Sequence, residues 1–265
     1  YEIRLSLVGS EMCNKRQELS NGFKLLIGLT YQRRTPMQKP ETGYVSRGSK
    51  VETAVPTSYV SFAPHVRIEY TPGQYYYYNN NNKIDTYSKY PTFSADWERG
   101  LLHVFGSRVA YERFEFETSY VQRIKSLRSI TYRVGYGCFT RQADIFFVDF
   151  ANFTRHGIPE GWEDELGGVF QLLDRHWYNA SRRYLRGNII YESPMLLLTR
   201  IPGITKYIQQ ERLYFNILNM DHLHPYIEAG YGFGTHMFDF GIFVNNINGA
   251  FKSVGGKFTV ELFNK

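Results

Sequence analysis

Large apolar side chains recur at every second position through most of this chain. Phe23, Leu25, Ile27, Leu29 and Tyr31 alternate with Lys24, Gly28, Thr30 and Gln32, and Tyr1, Ile3, Leu5 and Leu7 give an earlier copy of the pattern. A period of two belongs to strands, whose successive side chains point to opposite faces. The pattern returns at Val60, Phe62, Val66, Ile68 and Tyr70, and again at Phe93, Ala95 and Trp97. The clearest hairpin sets Phe114, Phe116, Thr118 and Tyr120 against Arg113, Glu115, Glu117 and Ser119. Its second arm sets Ile130, Tyr132, Val134, Tyr136 and Cys138 against Thr131, Arg133, Gly135 and Gly137, with a short basic turn at 125–128. Five more alternating segments close the chain: Leu185 to Tyr191, Leu213-Phe215-Ile217, Ile227-Ala229-Tyr231-Phe233, Phe238-Phe240-Ile242-Val244 and Phe258-Val260-Leu262. The pattern predicts about eleven antiparallel strands.

Between them lie segments rich in turn residues. Residues 33–56 read as a long polar loop, and Pro72-Gly73 leads into four tyrosines, Tyr75 to Tyr78, and four asparagines. Tyrosines beside a strand end suit a membrane interface, where the ring sits among headgroups and the hydroxyl stays wet. The longest irregular stretch, 140–183, mixes apolar, aromatic and charged residues, so it is expected to fold back and pack rather than stay disordered. Residues 194–208 read as an apolar interfacial or periplasmic segment. Short links are expected at Gly234-Thr235 and, more loosely, at 245–252. In the strand beginning at Ile227 the opposite face carries Glu228, Gly230 and Gly232.

Composition narrows the setting. The 265 residues include 22 Tyr, 20 Phe and 3 Trp, yet only 43% are hydrophobic. That combination suits a barrel whose strands divide between lipid and a polar lumen, with aromatic girdles at both interfaces. No apolar run reaches the length of a transmembrane helix, but a closed barrel also satisfies every backbone group in lipid. The net charge of +6 is spread along the chain, without the basic face or module of a nucleic-acid binder. Cys13 and Cys138 are too few for a metal framework, and no disulfide is expected between them. The chain opens at Tyr1 inside an alternating pattern, so residues 1–265 are expected to be the C-terminal portion of a longer barrel domain. Its N-terminal strands and any periplasmic domains would then lie outside this sequence.

Candidate chemistry is sparse. His222 and His224, next to Asp221, are weak metal candidates, read first as a solvated turn. Glu163, Asp164 and Glu165 lack the spacing of a calcium loop, and no Ser or Cys has a nucleophile setting beside His156 or His176. No catalytic residue, cofactor or metal is therefore assigned. The stronger polar expectation is a network in which Arg67, Glu69, Arg113, Glu115, Glu117 and Arg133 pair with Asp149, Asp164 or Asp174 of the long loop. Charges away from bulk water need such partners.

Several motifs carry a resemblance. They include Tyr90-Pro91-Thr92-Phe93, Trp97-Glu98-Arg99-Gly100, Tyr111-Glu112-Arg113 and the run from Phe147 to Phe153. To these are added Gln171-Leu172-Leu173-Asp174, Trp177-Tyr178-Asn179-Ala180, Tyr191-Glu192-Ser193-Pro194 and His224-Pro225-Tyr226. On these residues the chain resembles the C-terminal barrel of a Gram-negative outer-membrane family of unknown function, whose members often carry an N-terminal carboxypeptidase-regulatory-like domain. More distantly, five strands after a long loop are similar to the sixteen-stranded outer-membrane assembly and surface-antigen superfamily. The resemblance implies a bacterial outer-membrane location, residues 140–183 as an extracellular loop folded into the lumen, and Phe258, Val260, Leu262 and Phe263 as a barrel-closing strand read during assembly. Insertases of that superfamily carry an Arg-Gly pair at the loop tip. Here the loop has Arg155-His156-Gly157, one residue out of register.

The expectation is thus an all-β, antiparallel transmembrane barrel with a plugged lumen and a structural, envelope-assembly or surface-complex scaffolding role. Its partners would be outer-membrane lipid, lipopolysaccharide and other outer-membrane proteins or lipoproteins, and not nucleic acid. The rival readings are a porin or passive channel, an insertase, an outer-membrane enzyme, and a soluble β-sandwich.

Overall fold

The computed structural model describes residues 5–36, 58–80, 82–145, 169–173, 182–194, 196–198, 201, 207–220, 223–235 and 238–260. Eleven strands join in one sheet: β1 (Leu5–Ser20), β2 (Phe23–Pro36), β3 (Tyr59–Tyr70), β6 (Thr92–Gly100), β7 (Ala110–Lys125), β8 (Arg128–Asp144), β9 (Arg183–Ser193), β10 (Gln210–Met220), β11 (Leu223–Gly234), β12 (Phe238–Ile247) and β13 (Ala250–Val260). Two short strands, β4 (Tyr76–Asn79) and β5 (Asn82–Asp85), form a separate hairpin. The strands of the large sheet are hydrogen-bonded in chain order, from β1 to β13. The registered pairs within it are antiparallel. The all-β class and the eleven alternating segments thus match the structure, and a closed ring of strands is not seen among the described residues.

The boundaries moved where the alternation is weak. The polar stretch after Leu7 belongs to β1, which turns back at Asn21-Gly22, with Gly22 at φ 74°. The presumed loose link at 245–252 is instead a two-residue turn. Asn248 and Gly249 both take positive φ, 52° and 85°, as a type I′ hairpin requires. The last strand consequently begins at Ala250 rather than near Phe258. The tyrosine run, read as a strand-end girdle, supplies β4, with Tyr76, Tyr77 and Tyr78 exposed.

The chain divides into two compact units. The first comprises Tyr1–Thr118, Tyr136–Ala151 and Asn179–Arg183; the second comprises Ser119–Gly135, Asn152–Tyr178 and Tyr184–Lys265. In the first, the cross-strand partners Arg67 and Asp96 lie on a polar face, and Ile27, Leu29, Ile68, Tyr70, Phe93 and Phe116 stand exposed on the other. In the second, Leu213, Phe215, Ile217, Ile242, Val244 and Phe258 are exposed on a bare face, while Tyr214, Asn216, Leu218, Glu228, Phe243 and Asn245 are buried opposite them. Strict alternation along each strand produces this two-sidedness.

On the covered face of the second unit, glycines make room for rings. Tyr214 and Phe243 pack at 5.2 Å between centroids, and the Phe243 ring occupies the space a Cβ on Gly230 would need. Leu172 fills the corresponding space over Gly255 and joins the Tyr214–Phe243 cluster together with Ile190. In the first unit Gly100 does the same for Tyr111, whose ring carbons would lie 2.7 Å from an added Cβ.

Candidate functional site

The second unit seats a piece of the long loop on its covered face. Val169, Phe170 and Leu173 are buried, and Phe170 meets the Tyr226 ring edge-on at 5.6 Å. Glu228 holds this segment. It is the one acidic residue of β11, is fully buried, and faces the loop because it is in phase with Tyr226 and Gly230. The backbone N–H of Gln171 donates to both carboxylate oxygens, at 3.0 and 3.1 Å, and that of Leu172 donates to Oε2 at 2.8 Å. Asn216 Nδ2 donates to Oε1 at 3.0 Å and the Tyr226 hydroxyl to Oε2 at 3.0 Å. Four donor groups converge on one carboxylate, which compensates the large cost of taking it out of water.

The support extends sideways through a level row of polar residues. Asn188 pairs across to Asn216, Asn216 to Glu228, Glu228 to Asn245, and Asn245 to Ser253. Asn188 Nδ2 donates to Asn216 Oδ1 at 2.9 Å, and the Ser253 N–H and hydroxyl each lie 2.8 Å from Asn245 Oδ1. Asn216 also reaches the Val169 carbonyl at 3.4 Å. Five strands therefore contribute to one support under five loop residues.

A second carboxylate repeats the device on the bare face. Glu211, at the start of β10, is fully buried although its alternation partners Leu213 and Phe215 are exposed. What covers it is the turn after β9: the N–H groups of Leu196 and Leu197 donate to Oε2 at 3.0 and 2.6 Å. Its neighbour Arg212 points the other way, to Glu192 at 3.1 Å and Asp239 at 3.3 Å, and Ser129 donates to Glu192 at 2.8 Å.

The first unit uses charge pairs instead. Glu98 accepts from the Tyr111 hydroxyl and pairs with Arg113 at 3.0 Å. At the hairpin end, Lys83 of β5 pairs with Glu18 and lies over the Tyr76 ring at 4.3 Å, while Lys24 binds Asp85 at 2.5 Å. The hydrogen bond that Lys83 donates to Glu18 holds its ammonium above its ordinary pKa. Burial pushes Asp85 up, but Lys24 and Lys83 outweigh it and leave the carboxyl below its ordinary value.

The expected loop-lock residues fall into two groups. Arg113, Glu115, Glu117 and Arg133 are strand residues, and Arg113 is engaged by Glu98 on the adjacent strand. Asp149, Arg155, Asp164 and Asp174 lie outside the described residues, as do Leu262, Phe263 and His222. His224 lies in β11, and Phe258 and Val260 lie in β13, where both are exposed. Cys138 is a free thiol. Sequence reasoning placed Glu228 on the inward face but gave it no partner, and it passed over Glu211. The available signal was the same for both: a single carboxylate among apolar and small residues, with no cation in phase beside it.

Antiparallel strands with an exposed apolar face in each unit, and a polar face that in one unit grips a loop segment, define a two-faced β-sheet protein with no catalytic constellation among the described residues. Residues 12–233 match the C-terminal domain of the family of unknown function DUF5686, and the chain belongs to that family. The match spans Asn188, Asn216, Glu228 and the seated segment 169–173. A comparison with curated proteins finds no match.

Proposed function

We propose that this chain forms part of a bacterial outer-membrane β-barrel whose lumen is plugged by segment 169–173, and that its role is structural, in envelope assembly or in scaffolding surface complexes. The observation that carries the reading is the exposed apolar face in each unit. Each large apolar side chain left fully in water forfeits about 1.5–3 kcal/mol, a cost that lipid would remove. Strand length supports the same reading. The shortest strand of the large sheet, β6, has 9 residues and the longest, β8, has 17, against about 9–11 needed for a tilted crossing. Exposed Tyr75, Tyr76, Tyr77, Tyr78, Tyr87 and Tyr90 at one end of the first unit suit a headgroup girdle. The open sheet is then an arc of a larger barrel, and its partners are outer-membrane lipid, lipopolysaccharide and neighbouring outer-membrane proteins or lipoproteins.

Membrane fractionation followed by a heat-modifiable gel shift tests the barrel. Extraction without detergent and an unshifted band would remove it. Planar-bilayer recording tests the plug: the parent protein is expected to be nearly silent and Glu228→Ala to conduct.

A passive channel is the second reading. It is favoured by the polar face of the first unit, where Arg67, Asp96, Glu98 and Arg113 gather and no loop segment is seated among the described residues. It predicts steady conductance from the parent protein and little change in Glu228→Ala.

A further inference from the structure

The bare face of the first unit ends differently at its two rims. One rim is the tyrosine hairpin, whose lysines are already matched, Lys83 by Glu18 and Lys24 by Asp85. The other is the connection from β6 to β7, residues 101–109, where an exposed apolar tip meets exposed arginines. Leu102 and Val104 are exposed, and Phe105 is 72% exposed. His103 and Phe105 take positive φ, 65° and 48°, a region that bulky side chains avoid. Ser107 holds the tip in that shape. Its carbonyl accepts from the His103 N–H at 2.8 Å, its own N–H donates to the Val104 carbonyl at 2.9 Å, and its Oγ accepts from the Phe62 and Val109 N–H groups at 3.2 and 3.4 Å. The Phe105 ring meets Phe62 edge-on at 5.0 Å, and Phe62 is in phase with Ile68 and Tyr70, so the tip lies on the bare-face side of β3. Four exposed arginines accompany it. Arg33 pairs across to Val60, and on the other side of Val60 the Arg108 N–H donates to its carbonyl at 2.9 Å. Arg33 ends the row Ile27–Leu29–Tyr31, and Arg99 ends the row Phe93–Ala95–Trp97. Arg99 and Arg141 lie within electrostatic reach of Glu112, whose oxygens accept from Trp97 Nε1 at 3.0 Å and from the Thr140 hydroxyl at 2.6 Å. That carboxylate balances at most one of the four charges.

We infer that residues 101–109 form an interfacial wedge for anionic membrane lipid: Leu102 and Phe105 enter the boundary between headgroups and acyl chains, and Arg33, Arg99, Arg108 and Arg141 bind the headgroup phosphates. The inference rests on the barrel reading and adds a headgroup chemistry to it. Three features select this occupant. The Phe62–Phe105 contact makes the tip continuous with the bare face, so the medium that covers the face also reaches the tip. The guanidinium fork matches phosphate oxygens two at a time. Long cationic side chains at the ends of apolar rows keep their stems in an apolar medium and their charged heads among headgroups. The hairpin rim, with its lysines matched inside the chain, has no such surplus of charge to offer.

The test uses the full chain reconstituted in vesicles of phosphatidylcholine and phosphatidylglycerol in equal amounts, with bromine carried by one lipid or the other. A tryptophan is added by Phe105→Trp or, as a mid-face reference, Ile68→Trp, and the increment over the three native tryptophans is read. Brominated phosphatidylglycerol is expected to quench the Phe105→Trp increment at least twofold more than brominated phosphatidylcholine, and the two should quench the Ile68→Trp increment alike. Adding Arg99→Ala and Arg141→Ala should bring the ratio at Phe105→Trp close to one, whereas Arg99→Lys with Arg141→Lys, which keeps the charge, should preserve most of it. Quenching at Ile68→Trp without quenching at Phe105→Trp overturns the wedge and leaves the barrel standing. Equal quenching by the two lipids at Phe105→Trp overturns the choice of anionic lipid. A preference that is indifferent to the two alanine substitutions overturns the role of the arginines. Absence of quenching at both positions overturns the wedge and the barrel together.

Discussion

Glu98 in the first unit and Glu228 in the second each stand on a polar sheet face, but their partners differ in kind. Glu98 keeps a side-chain exposure of 20% and is matched by an arginine and a tyrosine from the adjacent strand. Glu228 has no exposure and is matched by backbone N–H groups, an asparagine and a tyrosine. Where water still reaches, a cation can satisfy a carboxylate at small net cost. In a dry seat a cation would bring its own desolvation penalty, and fixed amide dipoles avoid it. The backbone solution also has a mechanical consequence, since it binds the loop's main chain whatever side chains the loop carries.

The largest expected effect breaks the second seat. Glu228→Ala strands the Gln171 and Leu172 N–H groups and leaves Asn216 Nδ2 only the Val169 carbonyl, at about 1–3 kcal/mol for each buried group left unpaired. Exchange at the Gln171 and Leu172 amides, followed by mass spectrometry, should accelerate by more than tenfold. Glu228→Gln should recover part of that protection. If both variants exchange like the parent, the seat does not hold the loop.

Next comes packing. Gly230→Leu drives a side chain into the Phe243 ring, and overpacking of this kind costs about 1–3 kcal/mol. The midpoint of chemical unfolding should fall, whereas Gly249→Asn, in an open turn position that tolerates positive φ, should change it little.

Arg113→Ala is expected to be milder, because the Arg113 and Glu98 side chains retain 11% and 20% exposure, so water can reach the carboxylate, and the Tyr111 hydroxyl still donates to it. Comparable destabilisation by Arg113→Ala and Glu228→Ala would erase the contrast between the two faces.

The smallest effect is at the hairpin. Asp85 titrates below its ordinary 3.8, so its contribution is present above that value and is lost as pH falls through the lowered pKa. Lys83 titrates above its ordinary 10.5, so its contribution is complete below that value and is lost as pH rises through the raised pKa. Hairpin amides should therefore be best protected between those limits. Molar salt, which shortens the screening length to about 3 Å, should loosen them and leave the Gln171 and Leu172 amides unchanged. A salt response at Gln171 would contradict the account given for Glu228.

Much of the fold was written in the alternation, and its failures have specific causes. The β1 segment around Lys15 to Ser20 carries mostly polar side chains, so its strand character comes from pairing with β2 rather than from its own pattern. Two Asn-Gly pairs, at Asn21-Gly22 and Asn248-Gly249, were visible hairpin signals that the apolar pattern eclipsed. The seat of the loop was harder to read. A search for opposite charges looks for side chains, and the donors to Glu228 from the loop are peptide groups, which every residue except proline carries alike. Only the three-dimensional path of the chain chooses Gln171 and Leu172.

The level row from Asn188 to Ser253 has a consequence for assembly. Sliding β11 by one residue against β10 would turn Glu228 to the opposite face, and sliding it by two would put Tyr226 or Gly230 opposite Asn216. Neither arrangement can complete the row, so each wrong alignment leaves amide and carboxylate groups without complements. The row thus acts as a key cut across five strands: each one that zips on is checked against its predecessor, and only the correct alignment turns.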